Sequence, residues 1–134
     1  MVLAALLVGA CGGSSDSESG GESHGGKDAF VTSLVAEDMI ADVTVDPAKV
    51  GGVELHVEFT PPGGSLQQVT SVVGNLIPSD SSLSTIILRF ERDGTNHFHF
   101  EVSIPTPGDW TLDFDAALED GTSALYTTPV TFAP

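Results

Sequence analysis

Three histidines sit where metal chemistry could be done. His56 lies in Val53-Glu54-Leu55-His56-Val57-Glu58, and the other two lie in His97-Phe98-His99-Phe100-Glu101. Glu54 and Glu58 share the parity of His56, and Glu101 shares that of His97 and His99. Neutral imidazoles suit Cu(II), Ni(II) or Zn(II), while flanking carboxylates add charge and hydrogen bonds to the ligands. An imidazole must lose its proton to bind a metal, so such binding falls away in acid. The predicted ligand set is His56, His97, His99 and Glu101, with Cu(II), Ni(II) and Zn(II) all open as the ion it would take. The competing reading is plain polar surface on solvated strands. His24, between Ser23 and Gly25 in a stretch without apolar residues, reads as idle. Met39 is the only methionine besides Met1, which argues against a methionine-rich Cu(I) site.

The proposed set converges only if two extended segments lie side by side with these parities outward. The chain supplies such segments. Met39, Ala41, Val43 and Val45 alternate with Ile40, Asp42, Thr44 and Asp46, and Val53 to Phe59 alternate with Glu54, His56 and Glu58. The same period of two runs through Ile86–Phe90, Phe98–Ile104 and Trp110–Ala116. It marks strands with one packed and one wet face. A further strand falls within Tyr126–Phe132, where Pro129 suggests a sheet edge, and Leu66–Val73 is a weaker candidate. Asp46-Pro47, Gly51-Gly52, Pro61-Pro62-Gly63-Gly64, Asp93-Gly94, Pro107-Gly108 and Asp120-Gly121 supply turns. No long helical stripe interrupts them. The predicted fold is all-β, an immunoglobulin-like antiparallel β-sandwich of about seven strands. A small closed barrel is the competing architecture. In the sandwich, the His56 strand pairs with the His97 strand, and imidazoles approach across about 5 Å. Met39 and Trp110 are expected in the core.

The chain has 134 residues, 19 acidic and 4 basic, and a net charge of −15. That charge opposes binding to nucleic acid and to anionic lipid headgroups, and it attracts cations. Solubility, or life in a salty medium, would favour the same composition. The sole cysteine, Cys11, rules out an internal disulfide. Enzyme signatures are missing: there is no nucleophile elbow, HExxH, phosphate loop or GxGxxG leading a strand into a helix. Asp113 and Asp115 share the outer face of the Trp110 strand, where charge keeps sheets from pairing with neighbours. The expectation is a non-enzymatic domain with no catalytic residues.

The N-terminal Val8-Gly9-Ala10-Cys11 closes an apolar run and resembles a bacterial lipobox. In such precursors the peptide is cut before the cysteine, which then carries lipid. The resemblance implies a lipoprotein signal peptide over residues 1–10, with lipidation at Cys11. A flexible linker follows over residues 11–28, and the folded domain covers 29–134. The apolar core is short and no Lys or Arg precedes it, as a start codon set too far downstream would produce. A buried N-terminal helix with an ordinary core cysteine is the alternative, opposed by Gly12-Gly13-Ser14-Ser15. The linker GGSSDSESGGESHGGK has no apolar residue to offset the entropy of ordering. The expected location is extracytoplasmic, tethered to the cell membrane by lipid.

A second resemblance covers roughly residues 38–132. DVTVDPAKVGGVELHVEF, then HFHFEVSIPTPGDWTLDF, then TPVTF look like the YtkA-like domain. That immunoglobulin-like module also ends bacterial copper transport proteins of the CopD type. The shared signs are Pro47 and Gly51, a turn near Gly63, His97, and the Pro107-Gly108-x-Trp110 corner. Relatives usually carry Asn after the glycine, where this chain has Gly52-Val53, and the membrane helices of the transporter are lacking. The resemblance implies copper handling beside a membrane copper transporter. A cell-surface interaction or structural module without a ligand of its own is the alternative.

Overall fold

The computed structural model describes residues 27–64 and 67–134. The segment read as a signal peptide, Cys11, His24 and Leu66 lie outside the described residues. The described chain forms β1 (Phe30–Ala36), β2 (Met39–Asp46), β3 (Gly51–Thr60), β4 (Val69–Pro78) and β5 (Ile86–Arg89). It continues as β6 (Glu91–Gly94), β7 (His97–Ile104), β8 (Gly108–Leu118) and β9 (Ser123–Phe132). All the ladders between these strands are antiparallel, in two sheets ordered β1-β2-β3-β7-β6 and β5-β4-β8-β9. This is the pairing order of an immunoglobulin-like sandwich, and the expected all-β architecture stands. Among the described residues no helix is long and apolar enough to cross a membrane.

Parity builds the core. Met39, Ala41, Val43 and Val45 of β2 are fully buried, as are Leu55 and Val57 of β3. They face Leu76 of β4 and Leu112, Phe114 and Ala116 of β8 across the sandwich. Two aromatic groups fill the space between the sheets. Phe59 meets Phe98 edge-on at 6.0 Å, while Phe114 stacks on Tyr126 at 4.9 Å. Trp110 meets Phe132 edge-on at 6.2 Å. The Tyr126 hydroxyl donates to the Met39 carbonyl at 2.9 Å, tying β9 to the opposite sheet. Burial pushes its phenol pKa up to about 12.

Three expectations need correction. First, the described residues form nine strands rather than about seven. Strand β1 hides its period because Val31 and Val35 leave apolar side chains on its exposed face too. Strand β6, Glu91-Arg92-Asp93-Gly94, has no apolar residue and is a strand only through its pairing with β7. Second, where the sequence offers a weak Leu66–Val73 candidate the described residues form a full strand, Val69–Pro78, blurred in sequence by outward Val73 and Ile77. Third, Ile86–Phe90 is not one continuous strand. The chain leaves one sheet after Arg89, turns inward at Phe90, and enters the other sheet at Glu91. Pro129 does lie on an edge strand, β9.

Gly74 of β4 sets how closely β4 and β8 pack. A Cβ there would lie 2.5 Å from the Asp113 carbonyl oxygen and 2.9 Å from the Phe114 Cβ. Backbone must move to admit it. Gly74→Ala is therefore expected to destabilise by about 1–3 kcal/mol, the range for overpacking a core, measured by urea denaturation. A neutral effect would show that the two strands are not locked at this spacing.

Candidate metal centre

Strands β3 and β7 are direct neighbours, and their register pairs His56 with His99, Glu58 with His97, and Glu54 with Glu101. The predicted pairing is therefore present, with the three imidazoles on the outer face of the five-stranded sheet. The His56 ring lies 5.4 Å from that of His97 and 6.2 Å from that of His99. All three side chains are about one-third exposed or less.

The residue that completes the group is Asp93, which the sequence offered only as a turn residue. Donor atoms of His56, Asp93 and His97 lie within 4.8 Å of one another. Between β6 and β7 the register slips, Arg92 facing Phe98 and Gly94 facing His97, so Asp93 is an extra residue on its strand. Bulges of this kind bend a strand and re-aim a side chain. Asp93 Oδ2 consequently lies 3.5 Å from His97 Nδ1 and 3.5 Å from His99 Nδ1. Donors held about 2.0–2.1 Å from a tetrahedral ion are separated by about 3.3 Å. These gaps are long for hydrogen bonds and suit atoms sharing a cation. His99 Nδ1 is buried and has no hydrogen-bond partner, an orphan that a bound ion would satisfy.

The β6–β7 hairpin is pinned from beneath. Asn96, in a left-handed conformation at φ 55°, is buried. Its side-chain oxygen accepts from Val69 N–H at 2.8 Å, and its carbonyl accepts from Phe59 N–H at 2.8 Å. The Arg92 guanidinium turns inward to donate to the Val69 carbonyl at 2.5 Å, lying over the Phe98 ring. These contacts tie the hairpin that carries Asp93 and His97 to β3 and to β4 of the opposite sheet.

The fourth predicted ligand, Glu101, sits elsewhere. It is exposed, one rung beyond His99, and lines a shallow depression of about 490 Å³ with Asp46, Gly52, Glu54 and Ser103. The structure does not bring it into the three-residue group. Carboxylates crowd this face in register: Asp42 opposes Glu58, and Asp46 opposes Glu54, which opposes Glu101. Like charges directly opposite on a sheet are destabilising, so screening should help. Raising the ionic strength from about 0.1 M to 1 M shortens the Debye length from about 10 to 3 Å. The midpoint of thermal unfolding is expected to rise by several degrees, at about 4–8 °C per kcal/mol recovered. A flat or falling midpoint in sodium chloride would contradict this.

No family model and no curated protein matches the chain. Among solved structures it is similar to a superoxide reductase (neelaredoxin) from Ignicoccus hospitalis, at a TM-score of 0.46 and 10% identity. A second structure of that reductase, a substituted form, also has a TM-score of 0.46, at 11% identity. Both alignments cover 73% of this chain and 80% of the other. A likeness this slight carries neither a site nor an activity to this chain.

Proposed function

We propose that this protein is a non-enzymatic, lipid-anchored extracytoplasmic β-sandwich that holds a transition-metal ion, copper in this reading. The observation that carries the proposal is the convergence of His56, His97 and Asp93 within 4.8 Å. Two imidazoles and a carboxylate, with His99 beside them, form a donor set suited to Cu(II), Zn(II) or Ni(II) rather than to Ca(II) or Mg(II). A net charge of −15 draws cations towards it. The YtkA-like resemblance supports copper among these metals and a membrane copper transporter as partner. The test is a Cu(II) titration of the full chain followed by visible absorption. One equivalent should develop a d–d band; no band at stoichiometric copper would defeat the reading.

The lipobox supports the membrane address. Cys11→Ser is expected to move the protein from the membrane pellet to the soluble fraction on cell fractionation. Retention in the pellet would defeat the anchor. The alternative, an interaction module without a metal, draws on Val31 and Val35 of edge strand β1, which are 60% and 70% exposed. Failure of the copper titration would favour it.

A further inference from the structure

One carboxylate outside the three-residue group touches a member of it. Glu54 Oε1 lies 2.9 Å from His56 Nε2, a hydrogen-bonding separation. The contact follows from the sheet. Glu54 and His56 are two residues apart on β3 and face the same side. Across the neighbouring strands Glu54 has only carboxylates, Asp46 on β2 and Glu101 on β7. Repulsion from both rungs turns its side chain along the strand towards the imidazole. By contrast, His99 Nε2 is 3.8 Å from Glu91 Oε2, beyond hydrogen-bonding reach.

We propose that Glu54 is a positioning residue: it accepts the Nε2–H of His56 and holds that ring in the tautomer that offers a bare Nδ1 to the cation. This rests on the metal-binding reading above and deepens it by assigning the donor atom. The two rings flanking Asp93 point the same way, since His97 and His99 each present Nδ1 to its Oδ2 at 3.5 Å. With His56 fixed by Glu54, the two imidazoles of the converging group, His56 and His97, would both offer Nδ1 to the cation, with His99 Nδ1 beside them. A ligand tautomer anchored from outside gains basicity and loses rotational freedom, and losing such an anchor costs roughly 10–100-fold in metal affinity.

Two readouts on the full chain test this. Long-range proton–nitrogen NMR of the metal-free protein, at a pH where imidazoles are neutral, reports which His56 nitrogen carries the proton. Equilibrium titration with Cu(II) reports affinity. Nε2 of His56 should carry the proton in the parent chain, and Glu54→Ala should give mixed tautomers with binding about 10–100-fold weaker. Glu54→Gln keeps an accepting carbonyl and should retain the tautomer and most of the affinity. Glu101→Ala removes the same charge from the opposing position and should change affinity far less than Glu54→Ala. A proton on Nδ1 in the parent chain, or equal losses in the Glu54→Ala and Glu101→Ala variants, overturns the assignment. A chain with the expected tautomer that takes up no Cu(II) overturns the metal-binding reading instead and leaves the Glu54–His56 pairing standing.

Discussion

A His56→Ala/His97→Ala double variant is expected to lose more than about 100-fold in Cu(II) affinity while keeping its fold. Removing even an outer partner of a ligand costs roughly 10–100-fold, and this variant removes two inner donors of the three that converge. Stability should change little, because both side chains stand on the outer face of the sheet and neither belongs to the hydrophobic core. Surface substitutions of that kind fall within about 0.5 kcal/mol. The visible copper titration and a urea unfolding curve on the same samples separate the two effects. Unchanged copper affinity would move the site elsewhere on the acidic surface.

Trp110→Ala is expected to cost about 3–5 kcal/mol, the range for truncating a buried aromatic. Trp110 is 2% exposed and packs edge-on against Phe132 of β9. It begins the inward row of β8 that continues through Leu112, Phe114 and Ala116. The cavity would open between two long strands that have little freedom to collapse into it. A domain of this size carries about 5–15 kcal/mol of stability in total, so the variant would be close to unfolding. A loss below about 1 kcal/mol in chemical denaturation would mean that the ring is not part of the core.

Much of this fold was legible because a period of two is hard to satisfy in any other way. The rows Met39–Val45, Val53–Phe59 and Trp110–Ala116 bury the residues their parity assigns inward. Outward parity then fixed the faces of His56, His97 and His99, and the immunoglobulin-like order made their strands neighbours. What stayed hidden depends on contacts far apart in the chain. Strand β6 exists because β7 pairs with it, and nothing in Glu91-Arg92-Asp93-Gly94 marks it as extended. The crossing at Phe90 interrupts no alternation, since Ile86, Leu88 and Phe90 all face inward although the chain changes sheets just after Phe90.

Asp93 illustrates the same limit at the site. Asp-Gly is turn chemistry by composition, and Gly94 and Asn96 do take positive φ. The register slip that swings the carboxylate between two imidazoles becomes visible only with the β6–β7 ladder. Glu101 failed in the opposite sense. Its parity is right, yet one rung of strand length separates it from His99 and leaves it beside Glu54 instead.

Anomalous diffraction at the copper edge, from crystals of the protein grown with Cu(II), locates the ion itself. The expected map has one peak about 2 Å from a ring nitrogen of both His56 and His97 and from a carboxylate oxygen of Asp93. A peak on Asp46, Glu54 and Glu101 instead, or no peak on the outer face of the five-stranded sheet, would contradict a histidine-based copper site.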